Sequence, residues 1–358
     1  DKAAMVRANR TLRTASRILV PVTAGPATNG RKLYDLVVSA PWDRLIPPSA
    51  TIAVSVAGQV PSNEDPRFLA LKVKDAIVDR QRKRTGLRSS VDKDEPNVAI
   101  AVHVSPVTSE ISVDSSGSPL HVRGYRKQSG LAPLRETLAA AMVLLSGWDG
   151  TAPLVDPFCG SGTIAIEAAL LAAGVVPGDL GRTYAFERWP AGLELLFGET
   201  SGPAPPKQQP EADGSSKKKA ILVKKSAGRR RPQPGAPAEA FSVPRDENGG
   251  KRARHNRDHM RPLIIATDSD NRVLNSARSN AERAGVSDLI SFRRSDFRDA
   301  LPPDGAEGGT IVTNPPYGQR LEVADLEELY RAIGTWLKHN FTGWDAWILS
   351  GNPEGSKA

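Results

Sequence analysis

Cysteine is nearly absent: the one residue, Cys159, excludes an intramolecular disulfide framework and a thiolate zinc site. Histidine is sparse too, and His103, His121, His255, His259 and His339 are scattered without ligand spacing, so no metal is implied. No run of eighteen apolar residues occurs, which rules out a membrane-spanning helix. The opening DKAAMVRANRTLRTASRI has neither an initiator Met nor the apolar core of a signal peptide, and reads as a cut fragment. These absences fit a reducing intracellular compartment, cytoplasm or organelle matrix.

Positive charge is present in excess, but in one place. The net charge is +8, and residues 205–257 hold 14 Lys/Arg against 5 Asp/Glu, leaving the rest of the chain near −1. The basic pI therefore says little about nucleic-acid binding by the folded parts, and only local clusters count.

With 358 residues, two domains are expected. From Thr51 to about Asp114 the pattern reads strand, helix, strand, strand: TIAVSVAG, FLALKVKDAIVDRQRKR, NVAIAVHV and SEISVDSS, a small α+β unit. The helix aligns Leu69, Val73, Ile77 and Val78 and ends in Arg80, Arg82, Lys83 and Arg84. That basic end is either matched to the helix dipole or a contact for RNA phosphates. LAPLRETLAAAMVLLSGW, with Pro133 near its start, is the next helix.

Beyond it strands and helices alternate: PLVD, TIAIEAALLAAG, LIIATDSD, NRVLNSARSNAERAG, LISFRRSD, GTIVTNPP, LEELYRAIGTWLKHNF and DAWILSG. That order implies an α/β fold, a Rossmann-like, doubly wound parallel sheet. The boundary is set at 120/121, and residues about 200–257, Pro- and Lys-rich, read as a disordered basic insertion. The chain stops just after the fifth strand of this sheet, so the C-terminus is expected to be truncated as well.

The chemistry gathers at strand ends. Asp156-Pro157-Phe158-Cys159-Gly160-Ser161-Gly162-Thr163 follows a buried strand and opens a helix, at the carboxyl edge where such sheets bind ligands. Its glycines let the backbone come close to a ligand, and Asp156 can face a cationic group such as a sulfonium-bearing methionine moiety. A dinucleotide fingerprint is disfavoured because Ile164 stands where its third glycine would be. Asp268 closes LIIATD and can accept from both ribose hydroxyls of a nucleoside cofactor, while Asp270 is placed to cap the next helix. Asp296 can accept from an adenine amino group, with Phe297 as an apolar wall. Each Asp, taken singly, is equally well a cap or turn residue.

Asn314-Pro315-Pro316-Tyr317 follows the strand GTIVT. An exocyclic base amine is a poor nucleophile because its lone pair is delocalised into the ring. The Asn314 side-chain oxygen and the Pro315 carbonyl can each accept one amino hydrogen, and Tyr317 offers a ring for stacking on a base turned out of its helix. Cys159 lies in the glycine loop, so it reads as a packing residue and C5 methylation of pyrimidines is excluded.

DPFCGSGT followed at a distance by NPPY resembles the class I amino-methyltransferases, which bind S-adenosylmethionine and hold a target amine. RGYRKQSGLAPLRETLAAAMVLLSGW, DPFCGSGTIAIEAAL and YAFERWP together resemble the THUMP-containing ribosomal-RNA guanine-N2 methyltransferases. The resemblance implies that residues 1–120 are a THUMP-type RNA-binding domain with a partial ferredoxin-like part, drawn from SRILVPV and LYDLVVSAPWDRLIPP. It implies that residues 121–358 are an S-adenosylmethionine-dependent methyltransferase domain. By position it assigns Asp156, Phe158, Gly160, Ser161, Gly162, Thr163, Asp268 and Asp296 to the cofactor, and Asn314, Pro315, Pro316 and Tyr317 to catalysis. The implied substrate is structured RNA, ribosomal RNA or a pre-ribosomal particle, methylated at guanine N2. Methylation of adenine N6 is the competing enzymatic reading. A non-catalytic RNA-binding assembly factor is the reading from another class, opposed by the intact glycine loop and NPPY.

Overall fold

The computed structural model describes residues 1–27, 29–60, 64–126, 134–198, 264–316 and 323–350, and the backbone of 221–225. The chain forms two compact units, residues 1–120 with 181–212, and residues 121–180 with 213–358.

The first unit opens with α1 (Lys2–Thr11), whose N-terminal amides are capped by Asp1. It continues through β1 (Leu19–Gly25), α2 (Gly30–Ser39), the single turn α3 (Trp42–Leu45), β2 (Thr51–Gly58), α4 (Pro66–Thr85), β3 (Ser90–Val91), β4 (Val98–Val104) and β5 (Ser109–Asp114). The strands form one mixed sheet in the order β1-β5-β4-β2-β3. Asp65 caps α4, proline sits at the helix start, and Gly86 ends it in the left-handed conformation at φ 77°. The expected face of α4 is the buried one: Leu69, Val73, Ile77 and Val78 join Leu33 and Val37 of α2 over Ile52, Ile100 and Val113 of the sheet. Arg80 is not a free RNA contact. Its Nη1 donates to the Val38 and Ser39 carbonyls, and its Nε pairs with Asp43 at 2.5 Å. Arg82, Lys83 and Arg84 stay exposed.

The chain returns to this unit after crossing into the second. Residues 181–198, read from sequence as part of the second domain, carry Leu193 into the first unit's core. A helical Ala191–Leu196 turn passes so close to Arg44 and Leu45 that Gly192 has no room for a Cβ.

The second unit contains α5 (Glu136–Leu145), β6 (Leu154–Asp156), α6 (Thr163–Ala172), β7 (Ile221–Lys225), β8 (Ile264–Asp268), α7 (Asn271–Ala284), β9 (Ile290–Arg294), β10 (Thr310–Thr313), α8 (Val323–Asn340) and β11 (Asp345–Ser350). The sheet order is β7-β11-β10-β6-β8-β9, parallel except for β7. Successive strand residues point to opposite faces, and both faces are apolar. Leu154, Ile264 and Val312 pack with α5, α6 and α7; Val155, Ile265 and Ile311 pack beneath Trp336 of α8. The strand β7 departs from the expected insertion of 200–257. Ile-Leu-Val is its one apolar run, and it pairs antiparallel with β11 as a sixth strand. The rest of that insertion lies outside the described residues.

Candidate active site

The strand order sets the site. In β10-β6-β8-β9, four neighbouring parallel strands deliver in turn Asn314, Asp156, Asp268 and Asp296 at or just beyond their carboxyl ends. Four residues spread over 159 positions of sequence are thus aligned along one sheet edge.

Asp156 is 1% exposed. Its Oδ1 accepts from the Thr313 hydroxyl at 2.7 Å and from the Phe158 N–H at 3.3 Å, while Oδ2 is buried with no hydrogen-bond partner among the described residues. Burial pushes its carboxyl up to about 7. The two hydrogen bonds oppose that shift, and the Asp268 carboxylate adds to it.

The loop between β6 and α6 is tight. Gly160 and Gly162 have φ of 52° and 82°, conformations that favour glycine. A Cβ at Gly160 would meet nothing within 4 Å, so the loop is open there, whereas at Gly162 it would lie 3.0 Å from the Ala277 Cβ. Asp268 ties the loop to the next strand: Oδ2 accepts from the Gly160 N–H at 3.0 Å and Oδ1 from the Asp270 N–H at 2.9 Å. Asp270 itself caps α7, as expected.

Phe158 packs against Phe297 with the rings tilted by 33° and their centroids 4.9 Å apart, and Phe297 meets Trp336 edge-on. The apolar wall expected at Phe297 is therefore shared with Phe158. Asp296 accepts from the backbone N–H of Arg298 at 2.9 Å and is ion-paired with that guanidinium at 3.2 Å, so the local-cap reading describes it. Thr163 is buried, and its hydroxyl accepts from Arg126 at 2.6 Å. Ser161 offers its carbonyl to Asn280 at 3.0 Å.

Asn314 is half-buried with its Oδ1 buried and unpartnered among the described residues; Pro315 is buried and Pro316 half-buried. Tyr317 lies outside the described residues. Cys159 is 6% exposed, and burial together with the Asp156 and Asp268 carboxylates pushes its thiol up, which suits a packing residue and not a nucleophile.

Sequence reasoning passed over Thr313, Arg126 and Asn280. Thr313 had a signal, standing next to Asn314 on the same strand, and Arg126 stands in the RGYRKQSG run that carries the family resemblance; Asn280 acts across 119 positions and had none.

Among the described residues no helix is long and apolar enough to cross a membrane, and no group of His, Cys, Asp and Glu could hold a metal.

Comparison with known proteins agrees with this geometry. The model of the RMKL-like methyltransferase domain matches residues 123–358, and that of the THUMP domain matches 27–114. The ribosomal RNA large subunit methyltransferase K/L of Syntrophotalea carbinolica is 35% identical over 355 residues, 96% of this chain but 43% of that protein. A crystal structure described as a predicted N6-adenine-specific DNA methylase from Listeria monocytogenes superposes with TM-score 0.71 at 28% identity, covering 100% of this chain and 80% of that one. Another, a candidate methyltransferase named SMU.472 and solved with S-adenosylhomocysteine, superposes with TM-score 0.70 at 25% identity, covering 100% and 81%. The open glycine loop at the edge of a parallel sheet, the NPP segment one strand away and the matched domain models lead to one assignment: this chain, with a THUMP domain ahead of its catalytic fold, belongs to the RMKL-like methyltransferases.

Proposed function

We propose that the chain is an S-adenosylmethionine-dependent RNA methyltransferase that acts on an exocyclic base amine, guanine N2 of large-subunit ribosomal RNA. The observation that carries this reading is a pair of buried oxygens without a partner among the described residues, Asp156 Oδ2 and Asn314 Oδ1, at the ends of two neighbouring strands. Buried polar atoms are mostly satisfied, and two acceptors side by side at the open edge of the sheet suit donors that arrive with ligands.

An ammonium and a base amine are donors of the required kind, and the residues present fit S-adenosylmethionine. When bound, that cofactor supplies the methyl group as an electrophilic sulfonium. Asp156 would hold the ammonium of its methionine end, with Gly160, Ser161 and Gly162 allowing close backbone approach and Thr163 starting the helix behind them. Asp268 would take the ribose hydroxyls with the lone pairs left by its two backbone contacts. Phe158 would flank the adenine, and Asp296, its side chain 43% exposed, would meet the adenine amino group beside its contact with Arg298. Asn314 Oδ1 and the Pro315 carbonyl would each accept one hydrogen of the target amine, which draws the nitrogen toward a pyramidal geometry and frees its lone pair for attack. Pro315 and Pro316 hold the direction of that segment, and Tyr317 would stack on the extruded base. The THUMP domain would hold the RNA, and the boundary at 120/121 would separate RNA holding from methyl transfer.

The name of the K/L relative supports large-subunit ribosomal RNA as substrate, guanine N2 rests on the family resemblance of the sequence motifs, and the Listeria structure's description favours adenine as the second reading. Methylation of large-subunit ribosomal RNA with isotope-labelled cofactor, followed by nucleoside analysis, separates them. N2-methylguanosine is expected; N6-methyladenosine alone would overturn the guanine assignment.

A further inference from the structure

Neither the glycine loop nor NPPY includes the segment Arg123-Gly124-Tyr125-Arg126, yet its side chains and backbone converge on that loop from behind. Arg126 Nη2 donates to Thr163 Oγ1 at 2.6 Å and to the Leu134 carbonyl at 2.9 Å, and lies 3.5 Å from Glu136 Oε1, its side chain 9% exposed. Thr163 is the first residue of α6, where the loop ends. One helical turn on, buried Glu167 accepts from the Tyr125 hydroxyl at 3.1 Å and faces Arg123 at 3.6 Å. The same segment thus grips α6 at two points, one turn apart on a single face.

A second arm reaches the middle of the loop. The Tyr125 carbonyl accepts from Arg283 Nε at 2.6 Å, Arg283 donates to Asn280 Oδ1, and Asn280 Nδ2 donates to the Ser161 carbonyl at 3.0 Å. Asn280 is 1% exposed and Arg283 is exposed, so this chain of bonds runs from the surface to a buried amide beside the loop, where competition from water is weaker. Gly160 and Gly162 impose few conformational limits of their own, so something else must hold the peptide planes between them. Asp268 fixes the Gly160 N–H on one side; Asn280 and Arg126 fix Ser161 and Thr163 on the other.

We propose that residues 123–126, through Arg126 directly and through Arg283 and Asn280, are the positioning element that holds the glycine loop in its ligand-ready shape. The proposal rests on the cofactor reading for its ligand but not for its geometry. A conformationally free loop would spend part of its time in shapes that cannot receive the cofactor, and the apparent affinity falls by that fraction.

Two readouts keep the geometry and the cofactor reading apart. The first is amide hydrogen exchange at residues 158–163 in the cofactor-free protein, which needs no ligand. The second is calorimetric titration with S-adenosylmethionine. Asn280→Asp keeps the contact to Arg283 and sets an acceptor against the Ser161 carbonyl where a donor stood, and Arg126→Lys keeps the charge beside Glu136 but cannot also span Thr163 and Leu134. In both variants exchange at 158–163 is expected to rise at least about tenfold while β6 and β8 amides stay protected, and affinity to fall on the order of tenfold, the size of one lost charge-assisted or buried hydrogen bond. Where either variant fails to fold, Thr163→Val removes the acceptor alone at nearly constant volume and carries the same expectation. Unchanged loop exchange in folded variants, or affinity within twofold of a wild type that binds, would overturn the proposal. A wild type that does not bind, with loop exchange still raised in the variants, would leave the positioning element standing and sink the cofactor reading.

Discussion

Asn314 and Asp156 occupy equivalent ends of neighbouring strands and do different work. Replacing Asn314 with Ala removes one aimed acceptor, so methyl transfer is expected to fall by about 100-fold or more with cofactor affinity nearly intact; a steady turnover rate would contradict its role. In the role proposed for it, Asp156 makes binding depend on pH. Its folded-state carboxyl sits near 7, above the ordinary value of 3.8, so the folded protein holds an extra proton across that window and loses stability as pH rises through it. The proton must leave before Asp156 can face an ammonium. Affinity for S-adenosylmethionine is therefore expected to weaken about tenfold per pH unit below about 7, and to weaken again above about 8 as the cofactor's α-amino group loses its proton. Calorimetry across this range checks the shape, and Asp156→Asn should lose the lower limb. At this scale the sequence was legible where placement is tied to a strand end, as for Asp156, Asp268 and Asn314. It was not legible for Asn280, whose bond joins residues 119 positions apart and leaves no local pattern, and for Thr313 the one signal was its place beside Asn314.

Elements were legible wherever periodicity expressed burial. The run PLVD reads as a strand covered on both faces because Leu154 and Val155 belong to different cores, and the stripe from Leu69 to Val78 reads as a helix face. Polar anchors inside those faces escape such reading. Gln81 of α4 is fully buried: its amide Nε2 donates to the Ile46 carbonyl and Ser89 Oγ at 2.9 Å each, and its Oε1 accepts from the Ser89 N–H at 2.9 Å. Gln81→Leu keeps the bulk and strands those partners, so the first unit is expected to lose roughly 2–4 kcal/mol in chemical denaturation. A loss under about 0.5 kcal/mol would show that the anchor is dispensable. The strand β7 was missed because Ile-Leu-Val is too short a run to announce an element without the free edge of β11 that receives it.

On the scale of the whole molecule, charge and fold are separated along the chain. The excess of Lys and Arg falls within 205–257, while every candidate cofactor and catalytic residue falls outside it. Replacing Arg229, Arg230 and Arg231 with Gln is expected to leave cofactor affinity unchanged and to weaken RNA binding, with a shallower dependence on salt, by up to about 2 in the log–log slope. An unaltered slope would remove this segment from the RNA interface. The first unit's return segment, 181–198, shows why a single boundary could not be drawn from sequence: its packing depends on Gly192 and Leu193 meeting α3 and a distant core, contacts that composition does not encode.

The central claim is that the edge formed by β10, β6 and β8 receives S-adenosylmethionine, and titration of that cofactor into the wild-type chain and into Asp268→Ala tests it most directly. The account predicts saturable one-site binding by the wild type and a loss of about tenfold or more in the variant, whose ribose acceptor and Gly160 anchor are both gone. Equal binding by the two would contradict the assignment of Asp268, and no binding by the wild type would contradict the claim itself.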